Sequence, residues 1–171
     1  MSVRWSRLGP GDWLLGTGAV LLLIDLFVPA WFEYRPPFHA TAAMLGQPVS
    51  ANGWQTFEVL GPLTLVVCAC AVAISCAVAT RRSPALAVVM TTLLMPVAFV
   101  LAVLIAIRVL LDRPTVHLVQ AGGANVIEAR PGAYLGLGLS IVVFAGAFLA
   151  LRRDAVAPQD APAAIETVRI A

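Results

Sequence analysis

Between Ala85 and Ile107 the chain runs for 23 residues without a charge. About 20 apolar residues already cross a bilayer as a helix, and a soluble core helix has no need of so long an uncharged run. This stretch, Pro84 to Arg113, is read as a membrane span with a cation, Arg108, just inside its far end. Three more such segments fit around it, giving spans at about 13–32, 59–79, 85–110 and 133–151. The expected fold is an all-α membrane protein, a four-transmembrane-helix bundle occupying residues 1–154. Residues 155–171 are Ala/Pro-rich, with too little apolar periodicity for a core, and are expected to be a disordered cytoplasmic tail.

Composition agrees. The 171 residues are 60% hydrophobic and 12% charged, with mean hydropathy +0.91. All eleven basic residues are Arg, scattered without a basic stripe, so no nucleic-acid partner is expected. The three cysteines, Cys68, Cys70 and Cys76, fall inside one apolar segment, which leaves no disulfide framework for the loops. Trp13 to Phe32 is longer than a signal-peptide apolar region and no small-x-small cleavage site follows, so it is taken as a retained span.

Arginine placement sets the orientation. Arg4, Arg7, Arg81, Arg82, Arg152, Arg153 and Arg169 flank one side, against Arg35, Arg113 and Arg130 on the other. By the positive-inside rule the first side is cytoplasmic, and both termini lie inside a bacterial plasma membrane. Trp5 and Trp13 then fall near the inner interface, Trp31 and Trp54 near the outer one. In outer loop 33–58, Pro36, Pro37 and Pro48 discourage regular structure and Asn52-Gly53 signals a turn. Trp54 and Phe57 are expected on the membrane surface. In the second outer loop, Thr115–Gln120 and Asn125–Arg130 are β-prone runs around Ala-Gly-Gly-Ala, a β-hairpin expected to rest on the bundle or on the first loop.

Asp25 is the residue most suggestive of chemistry. A carboxylate in hydrocarbon costs about 2.5–3.5 kcal/mol on insertion scales, so it must be protonated, paired or facing a wet cavity. Counted from the outer ends of spans one and three, Asp25 lies about 10 Å deep and Arg108 about 5 Å. An intramembrane Asp25–Arg108 ion pair is therefore expected. It serves either to fix helix register or, in the alternative, as part of a small oligomeric ion- or proton-coupled transporter that uses Asp25; without the pair, Arg108 snorkels to the headgroups and Asp25 is neutral.

Gly132, Gly136 and Ser140 recur every four positions in span four, a spacing that permits close backbone approach for internal packing or for a homo-oligomer or membrane-complex partner. Pro96, midway along span three, reads as a static kink. Cys68-x-Cys70 puts two thiols on different helix faces, unlike an aqueous thiol motif. His39 and His117 sit among outer acids without a diagnostic metal spacing, so no metal or cofactor is expected. No phosphate loop, GxSxG or HExxH occurs. The expectation is a non-enzymatic structural or accessory subunit meeting the lipid bilayer and partners through span four and the outer loops.

Five pieces carry a resemblance: Leu26–Trp31, Asn52–Phe57, Arg108–Pro114, Arg130–Gly136 and Leu149–Arg153. Together they resemble a group of small, uncharacterised four-span integral membrane proteins of high-GC Gram-positive bacteria. The resemblance runs through Asp154. It implies a membrane location and four-span topology, and carries no molecular function.

Overall fold

The computed structural model describes residues 8–44, 46, 48–80, 85–111 and 127–156. Four helices in it are long and apolar enough to cross a membrane. Helix α1 is Pro10–Phe27. Pro10 occupies its first turn, where the missing N–H is no loss, and the Asp12 carboxylate accepts the Gly9 N–H at 2.9 Å. Strand β1, Ala30–Tyr34, follows, and then a 3₁₀ turn at Pro36–Phe38 and the short helix α2, His39–Met44. Strand β2 (Ser50–Asn52) and helix α3 (Gly53–Thr56) lead into α4, Leu60–Thr80. Helix α5, Ala85–Ala106, ends in a π turn at Ile107–Leu111. Strand β3, Ile127–Ala129, precedes α6, Pro131–Val156.

The long helices form a ring in which α1 packs on α4 and α6, and α5 packs on the same two. Helices α1 and α5 are thus diagonal. Helix α6 lies antiparallel on α1, because Gly11 faces Ala150 while Gly132 faces Ala30. Both ends of the described bundle therefore emerge on one side.

Opposite them sits a three-stranded antiparallel sheet in the order β2-β1-β3. It joins the two loops at this end of the bundle, since β1 and β2 come from the α1–α4 connection and β3 from the α5–α6 connection. The expected hairpin is revised accordingly. Ile127–Ala129 does form a strand, but it pairs with β1 of the first loop, and residues 115–120 lie outside the described residues. The tail beyond residue 156 lies outside them too.

Span one also ends sooner than expected. Pro29 has no N–H to give the Asp25 carbonyl four residues back, and α1 stops at Phe27 rather than Phe32. The aromatic run that hydropathy assigns to lipid turns into the sheet. Trp31 is 1% exposed, not an interfacial anchor. Phe57 likewise is core rather than surface, set edge-on to both Trp31 and Phe32 at ring distances of 5.8 and 5.9 Å.

Candidate functional site

Trp31 is the largest fully buried side chain among the described residues and organises the sheet end of the bundle. Its ring lies between two glycines, Gly53 of α3 and Gly136 of α6, and a Cβ at either would press into it. Its indole Nε1–H donates to the Asp25 carbonyl at 2.9 Å, and its own carbonyl accepts the Arg130 N–H at 2.8 Å. Indole and helix end are thereby tied, which matters because the last carbonyls of a helix have no partner within it. Asn52 serves the same end. Its Nδ2 donates to the Phe27 carbonyl at 2.9 Å, while its Oδ1 accepts the Gln55 N–H and caps α3. Asn52-Gly53, expected as a turn, is thus a helix cap that also closes the end of α1. The Gln three residues on, which returns a contact to the Asn52 N–H, is the capping-box signal that could have found it.

Asp25 is 5% exposed, and its Oδ2 has no hydrogen-bond partner. It points at α6: a Cβ on Gly136 would sit 2.7 Å from Oδ2. Among the described ion pairs none joins Asp25 to Arg108. Arg108 stands on an exposed position of the π turn. The physical reason is the ring order. A pair between them would have to cross the diagonal of the bundle, and depth alone does not say which helices are neighbours.

Gly132, Gly136 and Ser140 all face inward. Gly132 abuts the Ala30 carbonyl, Gly136 abuts Trp31 and Asp25, and Ser140 is buried with its hydroxyl on the Leu137 carbonyl at 2.7 Å. The same seam continues to Gly146, where an added Cβ would meet the Leu15 backbone nitrogen at 2.5 Å. Cys68 is buried and Cys70 exposed, on different faces.

The outer face of the sheet carries a charged cluster. Glu33 and Glu128 are directly opposed across β1 and β3. Two like charges so placed repel, and each is met by an arginine belonging to the other segment. Arg130 Nε lies 2.6 Å from Glu33 Oε2, and Arg35 Nε lies 2.8 Å from Glu128 Oε1. Hydrogen bonding to Glu33 and the charges of Glu33 and Glu128 raise the Arg130 pKa, so Arg130 stays cationic. His39 Nε2 donates to the Tyr34 carbonyl at 2.6 Å and lies 3.5 Å from Glu33. Burial raises the Tyr34 phenol above its ordinary value. The quartet and His39 went unnoticed as a unit in the sequence. Glu33–Arg35 and Glu128–Arg130, each two apart in extended chain at a strand's end, were the available signal.

Among the described residues no group of three His, Cys, Asp or Glu could hold a metal ion, and His117 lies outside them. No family model, no curated protein and no solved structure matches the chain.

Proposed function

We propose that the chain is a non-enzymatic structural or accessory subunit of a bacterial plasma membrane, with both termini cytoplasmic and the sheet outside. In this reading it is kin to the small four-span proteins of high-GC Gram-positive bacteria that its motifs resemble. The observation that carries the reading is the cross-strand quartet. Glu33, Arg35, Glu128 and Arg130 pair with one another across the two outer loops. Charge that could bind or activate a substrate is instead engaged in joining β1 to β3, and it makes a polar face. An active site would call for a concave pocket with convergent polar groups. The crevices beside α4 are apolar. The stripe on α6 is used within the chain, which leaves the charged outer face as the surface for a partner.

The experiment is a double charge reversal, Arg35→Glu with Glu128→Arg, which keeps one ion pair and inverts part of the face. Folded stability in detergent stays near wild type, while proteins that co-purify with the native chain are lost. Unchanged co-purification contradicts the reading.

A second reading, a small ion- or proton-coupled transporter, is favoured by one observation, the buried and unpartnered Oδ2 of Asp25. Vesicles carrying the reconstituted protein and an internal pH dye decide between the two. Proton flux that disappears in Asp25→Asn, with folding retained, replaces the first reading by the second.

A further inference from the structure

Asp25 sets two acceptors, its carbonyl and its carboxyl, beside one donor. Because Pro29 has no N–H, the Asp25 carbonyl lacks its helical partner, and the Trp31 indole supplies the missing bond at 2.9 Å. An indole has a single N–H to give. The carboxyl competes for it at close quarters. Oδ2 and the Trp31 ring both converge on the space that a Cβ of Gly136 would fill, yet Oδ2 is buried and accepts nothing. An ionised carboxylate would be the stronger acceptor, since a charge-assisted hydrogen bond is about twice as strong as a neutral one. The indole serves the carbonyl instead. That is the choice expected beside a neutral acid.

The surroundings point the same way. A carboxyl in hydrocarbon is paired, wet or protonated. Of the elements packed on α1, α3 and α4 carry no charged residue, and α6 keeps its charges, Arg152 to Asp154, at the far end. Tyr134 of α6 and Glu58 ahead of α4 are exposed. Strand β1 brings the Tyr34 phenol, whose pKa burial raises further. The sheet's ionised groups are paired on its outer face, Glu33 with Arg130 and Glu128 with Arg35, and His39 lies beside Glu33. Arg108 stands at the end of α5, diagonal to α1. Neither crevice beside α4 has Asp25 on its walls. A metal ion finds no ligand set, since no three His, Cys, Asp or Glu among the described residues could hold one.

We propose that Asp25 is a proton-binding site and that its proton latches the sheet to the bundle. With the proton in place, the indole closes the end of α1, the state seen in the structure. When the proton leaves, the carboxylate takes the indole N–H and the Asp25 carbonyl loses its partner. The ring then has to turn in a slot that Gly53 and Gly136 leave without slack. Trp31 belongs to β1, and its carbonyl accepts the Arg130 N–H beside β3, so both strands move with it. No proton need cross the membrane, which makes the latch independent of the transport reading.

The test uses the full chain in mild detergent, with Trp5→Phe, Trp13→Phe and Trp54→Phe so that fluorescence reports Trp31 alone. Infrared spectra of the same sample read the C=O stretch of a protonated carboxyl. At neutral pH that band is expected, and it is lost in Asp25→Asn. On raising the pH, the band disappears and Trp31 emission shifts to the red in one shared transition, whereas Asp25→Asn, uncharged throughout, keeps its neutral-pH emission. If Asp25→Asn does not elute folded, carbon-13 labelling of the aspartate carboxyls identifies the band by its isotope shift in the chain that retains Asp25. Absence of the band at neutral pH overturns the proposal. So does a band that persists until the protein unfolds, a band lost without a change in Trp31 emission, or an emission shift that survives in Asp25→Asn.

Discussion

Along α6, Gly136 and Gly146 bring the helix so close to α1 that neither position has room for a Cβ. Along α4, Cys70, Ala73, Cys76 and Ala79 are nearly as small, yet crevices of about 530 and 520 Å³ lie open beside them. The difference lies in the opposing face. Helix α1 answers α6 with Gly11 and Gly18, so two flat surfaces close to backbone contact. It meets α4 closely at one point, Gly16 against Ser75, and otherwise answers with Trp13, Val20 and Leu21, while α5 answers with Met90, Leu93 and Val97. Small against small closes, while small against large leaves the large residues as props with a gap between them. In lipid, where burial from water does not drive helices together, close packing is the main source of association. The α1–α6 seam should accordingly hold most of the bundle's stability, and α4 should be the helix most easily displaced.

Breaking the outer end of the seam should have the largest effect. Trp31→Ala empties the space between Gly53 and Gly136 and removes the indole donor from the Asp25 carbonyl. It should cost about 3–5 kcal/mol in a detergent unfolding titration. Gly146→Val forces a side chain against the Leu15 backbone and should cost about 2 kcal/mol, typical of overpacking. The same titration on Glu33→Gln should lose no more than about 1 kcal/mol, since the Arg130–Glu33 pair is part-exposed. Arg130 contributes no pH dependence below its raised pKa. A raised basic group gives stability that is lost only as pH climbs through that value, which lies above arginine's already strongly basic range. Gly138 faces open space, so Gly138→Ala should stabilise by about 0.5 kcal/mol through helix propensity alone. Cys70→Leu, projecting into the α4–α5 crevice, should stay within about 0.5 kcal/mol of wild type, as expected where there is room. A loss as large as that of Gly146→Val would erase the contrast between the two seams.

Hydropathy located all four long helices, because a lipid-crossing helix must be apolar over a fixed length. It misplaced the end of α1, because Ala30–Phe32 is as apolar in a buried strand as in a span. Pro29 was the sign of the change. The Asp25–Arg108 expectation came from depth, which sequence does encode for a membrane helix. It missed the lateral order of the helices, which depends on which faces interlock. The recurrence of Gly132, Gly136 and Ser140 marked the right face of α6, while its mates Gly11 and Gly18 carry no obvious spacing signal. The sheet was half legible. β-prone residues marked 125–130, but pairing across 90-odd residues of sequence, Phe32 with Ala129, leaves no local trace.

The central claim is that α1 lies on α6 and diagonal to α5. It is tested most directly by oxidative cross-linking of single-cysteine pairs in native membranes, in a chain whose own three cysteines are replaced by Ala. Gly18→Cys should cross-link with Val142→Cys, since a Cβ at Gly18 lies 3.0 Å from a Val142 methyl. Asp25→Cys with Arg108→Cys should not. Cross-linking of the second pair in preference to the first would contradict the account.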